Sequence, residues 1–251
     1  MAMGEAKEPA SMAASLIAAA IALLPLRAWA ATVLIWPIDP AIEAGRAGTE
    51  LWLENRGSSD VVLQVRVLSW SQEEGREVHS EQDEVLASPP MVKVVPGVRQ
   101  LVRLVMAKPE PREREGAYRV IVDEIPAVTG KPAEKQTATA LRFRMRYSIP
   151  LFVAPKQSGA MATQPQLSCR LNPGGRRIRL TNTGTVHARL ADAVLDSANG
   201  SVPLAQGLLG YVLPGSIMEW AVPGKATSSG TLLAKVNGNA KQVALGACMP
   251  L

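Results

Sequence analysis

The chain has 251 residues, of which 47% are hydrophobic, 20% charged and 4% aromatic, with a mean hydropathy of +0.07. This composition suits one or two globular domains and excludes intrinsic disorder, and two cysteines cannot build a disulfide scaffold. The net charge is +5, yet no apolar run reaches the roughly 18–20 residues of a membrane span, and two His and two Cys lying far apart leave little material for a transition-metal site.

The first element is an address. Met12 to Leu26 reads MAASLIAAAIALLPL, and Ala28-Trp29-Ala30 follows as a small-residue cleavage pattern. An apolar stretch of about fifteen residues before such a pattern is a signal peptide, too short to span a bilayer. Residues 1–30 are therefore expected to be removed, leaving an exported mature chain. Glu5, Lys7 and Glu8 give the leading segment a net charge of −1 where a basic one is usual, so Met12 is a second candidate start. The competing reading is a buried Ala-rich helix.

After Ala31 the sequence has almost no helical spacing. Strand-like segments follow at Thr32–Ile42 (broken by Pro37 and Pro40), Thr49–Asn55, Val61–Gln72, Met91–Val95, Arg99–Met106, Gly116–Ile125 and Thr137–Val153. Leu51/Leu53 and Val61/Leu63/Val65/Val67 alternate at period two, as half-buried strands do. Asn55-Arg56-Gly57-Ser58-Ser59-Asp60 and Val95-Pro96-Gly97 read as turns. Seven strands in about 120 residues is the count of an immunoglobulin-like sandwich. A Pro/Gly linker at residues 156–165 then breaks the pattern. A second, smaller β-sandwich is expected over 166–251, its clearest strands being Arg176–Thr181, Val186–Leu195, Ile217–Val222 and Thr231–Val236. Asn237-Gly238 between apolar stretches is a hairpin signal.

Charge divides unevenly between these modules. Residues 31–155 carry 16 basic and 17 acidic side chains, and residues 156–251 carry 9 and 3, so the second module holds +6. A pI of 9.4 ordinarily suggests nucleic acid, which an exported protein rarely meets. Export also places Cys169 and Cys248 where thiols oxidise, and one mutual disulfide is the simplest outcome. Two buried thiols are the alternative.

Residues 141–149 read Leu-Arg-Phe-Arg-Met-Arg-Tyr-Ser-Ile. Leu141, Phe143, Met145, Tyr147 and Ile149 fall on one strand face, with Arg142, Arg144 and Arg146 on the other. Such a segment can be an ordinary core strand. As the last strand of its module, however, it is expected at a sheet edge, where unpaired backbone invites another chain. An edge strand can be added to a partner's sheet, its backbone giving affinity and its alternate side chains filling pockets. The same exposed edge can be masked by self-dimerisation when no partner is bound. The three arginines oppose uncontrolled aggregation.

From here the chain resembles the periplasmic pilus-assembly chaperones of the PapD type, whose two immunoglobulin-like domains are set at an angle. The resemblance rests on Ala87-Ser88-Pro89-Pro90, Val95-Pro96-Gly97 with Leu101-Val102-Arg103-Leu104, the run Tyr118 to Pro126, and Ile149-Pro150-Leu151-Phe152-Val153-Ala154-Pro155. The opening Leu34-Ile35-Trp36-Pro37-Ile38-Asp39-Pro40 and Tyr147-Ser148-Ile149-Pro150 are most similar to the spore-coat-U-type, or archaic, branch. The resemblance implies a chaperone that caps pilin subunits by donating its last domain-1 strand and delivers them to an outer-membrane usher. It implies no enzyme activity and no cofactor. Family members anchor the subunit's C-terminal carboxylate with an Arg and a Lys, and the matching positions here are Pro40 and Pro150, neither of which can donate. Arg119, mid-strand beside the last strand, is the first candidate substitute, and Arg103 the second. The Arg that usually precedes the closing Pro is Ala154 here.

Two readings of other classes fit the residues less well. A secreted two-domain adhesin or structural pilus component would lack its own last strand and carry an N-terminal extension, whereas this chain keeps residues 141–153. Ser71, His79 and Asp83 lie in one polar stretch, but no strained nucleophile elbow accompanies them.

Overall fold

The computed structural model describes residues 33–109, 111–125, 144–156, 164–224 and 228–250, and every helix-or-strand element among them is a β-strand. The expected signal peptide, most of the expected linker, and Leu141 and Phe143 lie outside the described residues.

The first module contains β1 (Val33–Trp36), β2 (Ala41–Ile42), β3 (Gly48–Asn55), β4 (Val61–Glu73), β5 (Arg76–Ser80), β6 (Val85–Ser88), β7 (Met91–Val94), β8 (Arg99–Met106), β9 (Gly116–Ile125) and β10 (Arg146–Val153). One sheet runs β1-β3-β8-β6 and the other β2-β10-β9-β4-β5, with β7 beside β4. Their inner faces meet as a sandwich. Leu51, Leu53, Val102 and Leu104 of the first sheet belong to one core with Leu63, Val65, Val120, Val122 and Leu151 of the second. All are spaced two apart along their strands, the periodicity that puts alternate side chains on one face.

The second module contains β11 (Leu167–Leu171), β12 (Arg177–Asn182), β13 (Ala188–Ser197), β14 (Gly200–Pro203), β15 (Leu208–Val212), β16 (Ile217–Ala221), β17 (Gly230–Val236) and β18 (Val243–Pro250). They are ordered β14-β13-β17-β18-β11-β12-β16, with β15 beside β13. Leu171, Ile178, Leu180, Leu190, Leu195 and Leu232 are fully buried in a separate core. Cys169 and Cys248 are bonded across β11 and β18, 79 residues apart. The alternative of two thiols is excluded.

Each module fixes one loop with a buried asparagine. The Asn55 amide donates to the carbonyls of Ser59 and Val94, while its oxygen accepts from Gly57 N–H. Asn182 donates to Val186 and Val212 and accepts from Gly184 and Gln166. Both are 0% exposed, as a fully satisfied amide can be without a desolvation penalty.

The observed strands depart from the expected ones in several places. β5 and β6 lie in stretches too polar or too short to read as strands. Among the described residues, the last strand of the first module begins at Arg146, although the expected segment opened at Thr137. Asn237 and Gly238 do turn the chain between β17 and β18, with φ of 49° and 79°. The loop is longer than two residues, since the last paired positions are Ala234 and Val243.

Candidate strand-addition site

Among the described residues, β10 is paired along its whole length on one side and hardly at all on the other. Arg146 to Val153 match Asp123 to Gly116 of β9 in antiparallel register. On the far side β2 meets only Phe152 and Val153, in parallel. Phe152 N–H donates to Pro40 C=O and Ala154 N–H to Ile42 C=O. Backbone groups alternate sides along a strand, so the amides of Ser148 and Arg146 face the open side too. Pro150 also falls there and has no N–H, in keeping with the preference of proline for edges.

The side chains change environment along the same strand. Ile149, Leu151 and Val153 are buried in the module's core, and Tyr147 packs against that core while half-buried. Met145, next on that face, is 43% exposed. The apolar face thus leaves its own core at Tyr147 and continues outward.

The outgoing end of the strand is clamped by charge. Asp123 on β9 accepts from Arg66 on β4 at 2.8 Å and from Arg146 on β10 at 2.5 Å. The carboxylate is only 13% exposed, whereas Arg66 and Arg146 are 45% and 66% exposed. The hydrogen bond from Arg146 is the main cause holding the Asp123 carboxyl below its ordinary range, with Arg66 adding to it and burial opposing. Glu124 N–H then donates to Met145 C=O at 3.1 Å, one residue beyond the strand proper.

The inner end of β10 enters a seam between the two modules. Trp70, Phe152, Tyr211 and Leu213 form a small separate apolar cluster there. Phe152 stacks on His187 with ring centres 3.6 Å apart and planes 5° apart. The Glu115 carboxylate accepts from His187 N–H and lies 2.7 Å from its Nδ1. Gln72 behaves like a short strand: its amide donates to Tyr211 C=O and its oxygen accepts from Leu213 N–H, both at 2.9 Å. Nearby, Tyr118, opposite Leu151, donates to Glu84, which Arg112 also contacts at 2.6 Å. Burial, followed by that hydrogen bond, pushes the Tyr118 hydroxyl up to about 12.

Arg119 lies opposite Pro150 and Leu68 in the middle of this sheet. Its guanidinium sits 3.7 Å from the Trp70 ring centre and 5.5 Å from that of Tyr211. Glu77 is 3.5 Å away, and the side chain is 12% exposed. Nε is buried with no hydrogen-bond partner among the described residues, so attraction to ring faces replaces part of its hydration. Burial is the main influence, and it lowers the Arg119 pKa.

With this geometry in view, comparison with known proteins is decisive. A family model described as the pili and flagellar-assembly chaperone, PapD N-terminal domain, matches residues 41–159. The chain is 31% identical to a chain of the CsuC–CsuE chaperone–tip adhesion subunit pre-assembly complex, from archaic chaperone-usher Csu pili of Acinetobacter baumannii. That match covers 88% of this chain and 100% of the other, with a TM-score of 0.67. The chain belongs to the PapD-like pilus-assembly chaperones. The chaperone shares its fold with a chain of the Salmonella enterica SafA pilin–SafB chaperone complex, at 17% identity and a TM-score of 0.61, covering 86% of this chain and 95% of that one. A search of curated proteins finds no match.

The structure distributes the residues singled out from sequence. In the chaperone, Met145, Tyr147 and Ile149 lie on one face of the edge strand and grade from exposed to buried. Arg119 sits in the seam beside that strand. Arg103 does not join it: β8 belongs to the opposite sheet, and Arg103 is exposed there. Ser71 donates to Glu73 and His79 lies 3.9 Å from Glu77, so neither is directed at Asp83. Sequence reasoning missed Gln72, the Phe152–His187–Glu115 stack and the Asp123 clamp. Only Asp123, a carboxylate flanked by strands that carry arginines, left a readable trace.

Proposed function

We propose that this chaperone captures pilin subunits in the periplasm by adding β10 and the segment before it to an incomplete subunit sheet. The observation that carries this reading is the open side of β10 from Arg146 to Leu151, continuous with an apolar face that leaves its own core at Tyr147. Ile149 is already packed in the module's own core, so the donated side chains are Leu141, Phe143 and Met145, with Tyr147 at the boundary. Burying each contributes roughly 1.5–3 kcal/mol. The module keeps its own last strand fully paired to β9, which favours a donor over a structural pilin that needs one.

Export on residues 1–30 brings the chain to its subunits, and an outer-membrane usher receives them. No covalent step is involved, and no cofactor. Arg119 is the proposed anchor for the subunit's C-terminal carboxylate, because Pro40 and Pro150 offer no cation and Arg103 lies on the opposite sheet. The long contact to Glu77 leaves the Arg119 guanidinium with terminal N–H groups to share.

Co-expression of the mature chain with candidate pilins in the periplasm tests the reading. A stable one-to-one complex is expected, with the pilin degraded or aggregated when the chaperone is absent. Changing Phe143 and Met145 together to Glu should abolish it while leaving the fold intact. Retained capture in that variant, or incorporation of the protein itself into surface fibres, would overturn the donor reading.

A further inference from the structure

We infer that Asp123 is a positioning residue for subunit capture, holding the outgoing end of β10 flat in its sheet so that the open edge is presented ready-made. The assignment rests on the donor-strand reading above. Beyond the backbone ladder to β9, little else holds this end. Ser148 and Arg146 are exposed, Tyr147 is half-buried, and full burial on this face starts only at Ile149. One side of the strand has no neighbour there among the described residues. Strand ends with few buried contacts and exposed hydrogen bonds open most readily. A frayed edge must be re-ordered before it can pair, which lowers the fraction of molecules competent to bind.

Against that background one carboxylate joins three adjacent strands. Arg66 reaches it from β4 and Arg146 from β10, while Asp123 itself stands on β9 between them, opposite Arg146 in register and diagonal to Arg66, whose own register partner is Ile121. The bridge lies at the point where the face passes from core to open. Two positive groups share one negative one, so the clamp leaves a net positive rim beside the edge and is not fully neutralised. Exposed arginines gain little from a single pair, but a carboxylate that is 13% exposed between two of them is screened less from either.

The test uses the mature chain, first alone and then with a co-expressed candidate pilin. The antiparallel ladder turns the Tyr147 amide toward Val122, so its hydrogen exchange reports the clamped end directly. Asp123→Asn should speed that exchange and slow pilin capture, each by roughly fivefold, with global stability falling by no more than that same factor. Asp123→Glu, which keeps the charge, should restore most of both. Arg146→Gln, which leaves the Arg66 pair, should give a smaller change of the same sign. Raising salt should slow capture by the wild type and hardly affect Asp123→Asn. Unchanged exchange in Asp123→Asn, or faster exchange with unchanged capture, overturns the assignment. A wild-type protein that captures no pilin while its Tyr147 exchange still responds to Asp123→Asn overturns the donor reading, and the role in capture with it, but shows the clamp to be real.

Discussion

The two ends of β10 share one strand and one alternation but not one fate. At the inner end, Ile149, Leu151 and Val153 complete the module's own core, β2 closes the far side, and Phe152 is gripped by His187. At the outer end, Met145 stands 43% exposed, the far side is open among the described residues, and a charge clamp replaces packing. Hydrophobicity alone does not separate them, since both ends carry large apolar residues at every second position. What separates them is where the neighbouring strand and the opposing sheet stop.

The sharpest way to break this contrast is truncation at each end. Leu151→Ala should cost roughly 2–5 kcal/mol, the usual range for a core leucine that leaves a cavity. Met145→Ala should shift the unfolding midpoint by less than about 0.5 kcal/mol while weakening pilin capture. Denaturant unfolding of both variants, read beside a capture assay, checks the pair. Equal destabilisation would mean that the outer end is packed after all.

A control in the other module comes next. Replacing Cys169 and Cys248 by Ser should destabilise the second module by about 2–4 kcal/mol. The Tyr147 amide should exchange as before, because no contact of the outer end reaches that bond.

The seam offers a smaller perturbation. Gln72→Leu removes the partner of two buried backbone groups, at Tyr211 and Leu213. That should cost about 1–3 kcal/mol, and should loosen the inner end of β10 while sparing the outer one. Small-angle scattering or inter-module distance measurements would register the change in how the modules sit.

The mildest effect is one of pH. The folded-state pKa of Asp123 is depressed, chiefly by Arg146. Its contribution is therefore complete above the ordinary carboxylate value and is lost as pH falls through the folded one. Below about pH 4 the Tyr147 amide of the wild type should gain exposure relative to Asp123→Asn at the same pH, after correction for the intrinsic exchange rate. Glu84 and Glu219 are depressed as well, by Tyr118 and by Arg177, and both variants share those changes.

Much of the architecture was legible because strands announce themselves through period two. β3, β4, β8 and β9 read within a residue or two of their observed ends, for buried residues recur at period two through much of each. β5 did not read, because Arg76-Glu-Val-His-Ser sits at a sheet edge where neither face needs to be apolar. The edge position of residues 146–149 followed from their place at the end of the module, and its chemistry from their alternation. The seam was illegible for a different reason. Gln72 meets Tyr211 and Phe152 meets His187 across long stretches of chain, and a single polar residue at a strand end gives no sign of a distant backbone partner. Arg119 was recognisable as a mid-strand cation, but not as one lodged between aromatic rings that lie far apart in sequence.

Pro150 gives the open edge punctuation. An arriving strand finds amide donors at Arg146 and Ser148, then a residue with none, and then Phe152, whose N–H already belongs to Pro40. Backbone pairing can therefore zip inward only so far before it meets a full stop. Sliding the visitor toward the elbow forfeits bonds without offering new ones, and slipping by one residue turns its side chains to the wrong face. Under the donor-strand proposal, the position that matches a family cation and here holds a proline limits how far inward a visiting strand can pair.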